Sequence, residues 1–137
     1  MICYKVVKRF ANNVLGSCCI SEESSYFREY GTDIVAKDGL VFKNEWEAET
    51  FDWVNSAPRT SYEIWKCKCR NPRRIWYLCF RNDDAIIKKF WESKNRRRDW
   101  DKIGCCDATK GTYHAKNIQL IERNYKQIEG EQNNGKD

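Results

Sequence analysis

Ser61-Tyr62-Glu63-Ile64-Trp65-Lys66-Cys67-Lys68-Cys69-Arg70 alternates along its length, with Glu63, Trp65, Cys67 and Cys69 facing one way and Tyr62, Ile64, Lys66 and Lys68 the other. A period of two marks a β-strand, because successive side chains of an extended chain leave opposite faces. Asn71-Pro72-Arg73 then reads as a turn, and the apolar run Ile75 to Phe80 as a central strand. Working outward, Cys3 to Phe10 is rich in β-branched and aromatic residues and predicts a first strand. Asn12-Asn13 is a turn signal, and Val14 to Ile20 a second strand hairpinned to the first. Ser21 to Ser25 is loop-like, Tyr26 to Gly31 leads into a turn, and Asp38-Gly39 marks another turn before a short strand, Leu40-Val41-Phe42. Tyr113 to Glu122 supplies the last strand.

Two segments carry helical spacing. Asn44 can cap a helix over residues 44–55, with Glu47 at the reciprocal capping position, Ala48, Phe51 and Val54 on one face, and Pro58 blocking continuation. Asn82 or Asp83 caps the second, whose apolar stripe is Ile86, Ile87, Phe90 and Trp91. The prediction is one α+β domain over residues 1–124, a mostly antiparallel sheet of about five or six strands packed by two helices. Residues 125–137 are polar and read as a frayed tail.

The net charge of +5 is segregated. From Lys66 to Arg98 there are twelve Lys and Arg against three acids; from Glu22 to Glu63 there are four against ten. Lys66, Lys68, Arg70, Arg73 and Arg74 lie on one strand and its turn. Lys88, Lys89, Lys94, Arg96, Arg97 and Arg98 lie on and beyond the second helix. Cations interleaved with Trp and Tyr suit a nucleic-acid surface, where charge meets phosphate and rings stack on bases. The same segment suits an acidic or nucleic-acid-binding partner protein. The bland reading is a solvated face with Trp65 and Trp76 in the core. The acidic half (Glu22, Glu23, Glu29, Asp33, Asp38, Glu45, Glu47, Glu49 and Asp52) permits mimicry of a phosphate backbone, or is plain helix-end charge and solubility.

Eight Cys occur as Cys3, Cys18-Cys19, Cys67-x-Cys69, Cys79 and Cys105-Cys106, with one His. Adjacent Cys chelate poorly, and zinc sites use C-x2–4-C pairs, so no metal and no cofactor is expected and the thiols read as buried small hydrophobes. No stretch approaches the roughly 20 apolar residues of a membrane span, and the first residues lack the pattern of a signal peptide. The expectation is a cytoplasmic protein. No G-x-S-x-G, G-x-G-x-x-G or P-loop motif is present, and His114 reads as a structural residue, so catalysis is not indicated.

Tyr4-Lys5-Val6-Val7, Tyr30-Gly31, Gly39-Leu40-Val41-Phe42, Ala48-x-x-Phe51 and Glu63-Ile64-Trp65-Lys66-Cys67 together resemble small accessory proteins encoded by bacteriophages. The likeness spans roughly the first 70 residues. What it implies is a host-takeover role, most concretely inhibition of a host defence nuclease, as anti-CRISPR proteins do. The implied partner is a host immune effector protein or its guide RNA, in the host cytoplasm. The strand–Phe–helix layout is also similar to the N-terminal half of minimal ADP-ribosyltransferase-like domains. The chain departs from them by lacking a first-strand Arg or His paired with a Ser-Thr-Ser strand and a Glu-x-Glu or Gln-x-Glu turn.

Overall fold

A computed structural model describes residues 1–18, 20, 22–51, 62–79 and 83–124. Strand β1 (Ile2–Arg9) runs antiparallel to β5 (Tyr62–Arg74), from Ile2 opposite Lys68 to Lys8 opposite Tyr62. On its other edge β1 meets β2 (Leu15–Ser17) and, at Tyr4 opposite Phe42, β4 (Ala36–Phe42). The short β3 (Glu29–Tyr30) extends β2. The long β8 (Thr112–Asn124) lies between β4 and β5. The sheet therefore curls until it meets itself, and β1, β5, β8 and β4 close a ring. Closure demands strong bending, and β5 supplies it with register shifts at Lys66/Cys67, Lys68/Arg70 and Arg70/Arg73.

A ring this narrow admits only small interior side chains. Its core is Cys3, Val7, Val41, Cys67, Cys69, Ala115, Ile118 and Leu120, with Leu15, Tyr30 and Ala36 at its margin. That accounts for much of the cysteine content. Cys3, Cys67, Cys69 and Cys105 are buried, and the Cys3 and Cys69 sulfurs lie 3.2 Å apart. Outside the ring, helix α1 (Glu45–Glu49) helps cover a second core of Val6, Phe42, Ala48, Phe51 and Ile64. Full burial of one such Phe contributes about 1.5–3 kcal/mol. The third core, Phe90, Ile103 and Cys105, joins helices α2 (Asp84–Glu92) and α3 (Trp100–Ile103) to a ribbon of β6 (Tyr77–Cys79) and β7 (Cys105–Asp107).

The antiparallel α+β architecture agrees with the sequence, and so does the alternation of β5: Cys67 and Cys69 enter the ring core, Ile64 the outer one. Three local expectations about turns and strands are corrected. Asp38-Gly39 is no turn but mid-strand, where the missing Cβ of Gly39 leaves room for Tyr30, whose hydroxyl donates to the Asp38 carbonyl at 3.1 Å. Asn71-Pro72-Arg73 is no turn either. β5 runs through it as a bulge, with Asn71 at φ 49°, a conformation Asn tolerates. Ile75 to Phe80 is not a central strand. Among its described residues, 75–79, only Tyr77–Cys79 pairs, in the peripheral ribbon, and Trp76 is 64% exposed; Phe80 lies outside the described residues. The run is apolar because Tyr77 and Cys79 pack on the third core while Leu78 packs on the second.

The first helix is shorter than expected, with Glu49 its last residue and Thr50 its C-cap, and its N-terminal cap differs. Asn44 makes no side-chain cap to the helix amides; its amide donates instead to buried Glu47, at 2.8 Å. Residues 52–61 and the proposed tail, 125–137, lie outside the described residues. The second helix is capped as expected, by Asp83 accepting from the amides of Ala85 and Ile86. Helix α3 was not anticipated. It closes on Gly104, at φ 57°. No helix among the described residues is long and apolar enough to cross a membrane.

Candidate anion-binding site

A cavity of about 400 Å³ opens beside the ring, with walls from β1, β4, β8, β6 and α2. Its apolar wall includes Phe42, Phe51, Leu78, Ile87, Phe90 and Trp91. Its polar wall holds four cations, Lys5, Arg28, Lys37 and Lys116, against one carboxylate, Asp38. Lys5 is 5% exposed, and its ammonium lies 4.7 Å from the centroid of the Tyr30 ring. Arg28 donates to Asp38 at 3.0 Å and to the Ser25 and Phe27 carbonyls. The loop carrying Tyr26 and Arg28 is clasped to α2, where Asp84 accepts from the Ser24 and Ser25 hydroxyls and the Ser25 amide. Those bonds hold the Asp84 carboxyl below its ordinary value.

His114 stands at the meeting point of the walls. Its ring lies 4.5 Å from Trp91, centroid to centroid, and its Nε2 3.9 Å from the Asp38 carboxylate. Burial lowers its pKa, and Lys5, Lys116 and Arg96 push the same way, while Asp38 opposes them. The imidazole is therefore neutral at pH 7, a flat ring tilted 42° to the Trp91 ring beside it, in a field of cations. β4 and β8 present Asp38 and Lys116 from directly paired positions, with His114 two residues before Lys116 and opposite Leu40, while Lys5 enters from β1.

The predicted cations divide into two groups. Arg70 sits directly opposite Lys116 and Arg73 directly opposite His114 across β5 and β8, beside two residues of the cavity wall, but none of the eleven predicted cations lines the cavity itself. Arg74 lays its guanidinium 4.2 Å from the centroid of exposed Trp76. Arg96 reaches the same region but is structural. Its Nε donates to the Phe90 carbonyl at 2.8 Å and its guanidinium covers the Phe90 ring, so desolvation lowers its pKa. The others stand apart. Lys66 pairs with Glu122 and Arg98 with Asp99, while Lys68, Lys88, Lys89, Lys94 and Arg97 are simply exposed. Of the acids considered for phosphate mimicry, Asp38 is engaged by Arg28 and Glu47 is buried, and Asp52 lies outside the described residues.

Sequence reasoning missed Lys5, Arg28, Lys37 and Lys116. A usable signal existed for Lys5 alone: a lysine inside Tyr4-Lys5-Val6-Val7, where both faces of the strand are apolar. Among the described residues no group of three or more His, Cys, Asp or Glu is arranged to hold a metal ion. No family model, curated protein or solved structure matches the chain.

Proposed function

We propose that this protein acts by binding a single-stranded nucleic acid, not by catalysis. In the phage setting that its sequence resembles, that strand is the guide RNA of a host defence nuclease complex, and binding inhibits the complex. One observation carries the reading: Arg70 faces Lys116 directly across the β5–β8 ladder. Like charges in directly opposite positions destabilise a sheet, by about 0.2–1 kcal/mol. A polyanion laid across the pair removes that cost and turns it into attraction. Arg73, three residues along β5 across a register shift and opposite His114, lengthens the track. Exposed Trp76, backed by Arg74, offers a ring on which a base can stack.

The test is fluorescence anisotropy with a labelled single-stranded RNA across a salt series. Phosphate contacts release counterions, so log K falls with log salt at about 0.7 per contact. Arg70→Glu with Arg73→Glu should flatten the slope by about 1.4 and relieve inhibition of a guide-loaded nuclease in parallel. Absence of binding at low salt, or a slope unaltered by the double change, refutes the reading. Tight capture of the nuclease protein stripped of RNA, with no RNA affinity, would move the proposal to a protein partner.

A further inference from the structure

Three thiols meet inside the ring. Cys3 on β1 and Cys67 and Cys69 on β5 all belong to its core, and Cys3 and Cys69 are 2% and 3% exposed. Register places Cys67 directly opposite Cys3, yet the close sulfur contact is diagonal: the Cys69 thiol donates to the Cys3 sulfur at 3.2 Å. The two strands hold this contact in place, since the Cys69 amide donates to the Met1 carbonyl at 3.0 Å. On its other side β5 is irregular. Its register against β8 shifts between Lys68 and Arg70, and Cys69 falls inside that shift, where a bulge disrupts the ladder. Bonded sulfurs stand about 2 Å apart, so the pair needs to close by only about 1 Å, at the point where β5 is least constrained.

We infer that Cys3 and Cys69 are an oxidative modification site, which hydrogen peroxide converts into a disulfide that fastens β1 to β5 inside the closed ring. One thiolate sulfur attacks a peroxide oxygen and the O–O bond breaks. A sulfenic acid forms, and the departing hydroxide takes up the proton that the thiol released. The second sulfur then attacks the sulfenic sulfur. The S–S bond forms, the S–O bond breaks, and the hydroxide leaves as water with the second thiol's proton. Two thiols and one peroxide thus give one disulfide and two waters, the sulfurs losing the two electrons that the peroxide gains. Burial and the contact with Cys69 keep Cys3 protonated while the ring is closed. Only a thiolate reacts, so the first step waits for the start of β1 to lift from β5, where Ile2 is already 45% exposed. When β1 returns, the resolving sulfur is in contact and the second step is intramolecular. The pair is a slow lock, and once made it prevents the opening that made it.

The inference does not rest on the strand-binding reading: it concerns the ring interior, whereas Arg70 and Arg73 are exposed. Its test uses the full chain, dilute enough that molecules do not link to one another. The native protein is incubated with hydrogen peroxide, blocked with N-ethylmaleimide, cut with trypsin and mapped by mass spectrometry without reduction. Cleavage after Lys68 separates Cys67 from Cys69, so the two possible links are told apart. A Cys3 peptide joined to a Cys69 peptide is expected, appearing more slowly than oxidation of the half-buried Cys106 and lost on adding dithiothreitol. The link joins residues 66 apart in sequence, so the oxidised chain should melt roughly 10 °C above the reduced one. Cys69→Ala should give neither link nor gain, while Cys67→Ala keeps both. Comparing the oxidised and reduced forms of the same chain cancels whatever a substitution itself costs. A link from Cys3 to Cys67, sulfinic acid at Cys3 without a link, a Cys3 that stays reduced until the chain unfolds, or an oxidised chain that melts no higher overturns the inference. The strand-binding reading stands or falls separately, on its salt slope.

Discussion

Arg9 and Glu63, 54 residues apart in sequence, are joined by two hydrogen bonds, Nε to Oε2 at 2.5 Å and a terminal guanidinium nitrogen to Oε1 at 2.9 Å. Trp65 donates to the same Oε1 at 2.9 Å, and Arg123 lies 3.6 Å away. Glu63 is 4% exposed. The carboxylate thus ties the end of β1 to β5 and β8, three strands of the closed ring. Removing it takes the carboxylate from two guanidinium groups, of which Arg9 keeps about a third of its side chain in water and a bond to Asn13. Loss of one partner from a buried pair costs roughly 3–5 kcal/mol, and the exposure of Arg9 places Glu63→Ala near the lower figure. A thermal midpoint lowered by about 10 °C is expected for roughly 3 kcal/mol. Arg9→Ala, which leaves Arg123 and Trp65 on the carboxylate, should cost less.

The same carboxylate and His114 set the acid side of the stability profile. Burial alone would raise the pKa of Glu63, but the hydrogen bonds from Arg9 and Trp65 and the charges of Arg123 and Arg9 outweigh it and hold it below 4.5. His114 is also lowered, from 6.5, chiefly by burial. A depressed histidine binds its proton in the unfolded chain first, so stability falls as pH drops below 6.5. A depressed carboxylate keeps its stabilisation above 4.5 and loses it below. Urea midpoints should therefore decline in two stages, one beginning near pH 6.5 and one below pH 4.5. His114→Gln should abolish the first and spare the second. A single decline below pH 4.5 in the parent protein would contradict the assignment of His114.

How much of this was legible beforehand follows from which residues depend only on their neighbours. The alternation of β5 was readable because both of its faces are set by local burial, with Cys67 on one core and Ile64 on the other. Ring closure was not, since it rests on β5 pairing with β1 and β8 at once, and pairing partners leave no local trace. Asp38-Gly39 carries strong turn chemistry, yet Tyr30, eight residues before Asp38, takes the space that Gly39 vacates and donates to the Asp38 carbonyl within the strand. The basic segment was visible as composition. Its division into cations of the β5–β8 ladder (Arg70, Arg73), anchor (Arg96) and solvated charge (Lys88, Lys89) depends on tertiary neighbours.

Arg96 illustrates the difference between a cation that meets a partner and one that holds the fold. Its guanidinium closes the C-terminal end of α2 through the Phe90 carbonyl and lies over Phe90 and Trp91. A cation there complements the negative end of the helix dipole. Arg96→Ala should cost about 1–3 kcal/mol, from one charged hydrogen bond and the packing of the stem. Arg97→Ala, at an exposed neighbouring position, should fall within about 0.5 kcal/mol of the parent. Comparable losses from both, measured by chemical denaturation, would remove Arg96 from its capping role.

The thiols should divide by depth. Burial, with the neighbouring Cys69 and Cys67, pushes Cys3 up to about 12, and burial with Cys69 does the same for Cys67. Cys105 rises to about 11, again mainly through burial. Only the thiolate is nucleophilic, so these three should resist iodoacetamide at pH 8 until the chain is unfolded. The half-buried Cys18 and Cys106 should be modified in the native protein. Mass spectrometry of peptides after brief labelling, with and without urea, gives the comparison, and labelling of Cys67 as fast as Cys106 would mean that the ring opens readily.

Gly111 begins the last strand's approach at φ 83°, and a Cβ at that position would fall on the carboxylate of Glu47. Two penalties act on Gly111→Ala: the left-handed backbone, about 1–3 kcal/mol for a residue with a side chain, and collision with a buried group that Asn44 already holds in place. They can be separated. Glu47→Ala alone removes the Asn44 bond but opens space, so its cost should be small beside that of Gly111→Ala. If steric exclusion dominates, adding Gly111→Ala to Glu47→Ala should cost markedly less than adding it to the parent. The remainder measures the backbone strain. Strictly additive costs in the double variant would show that Glu47 does not restrict the glycine, and that the backbone conformation alone requires it.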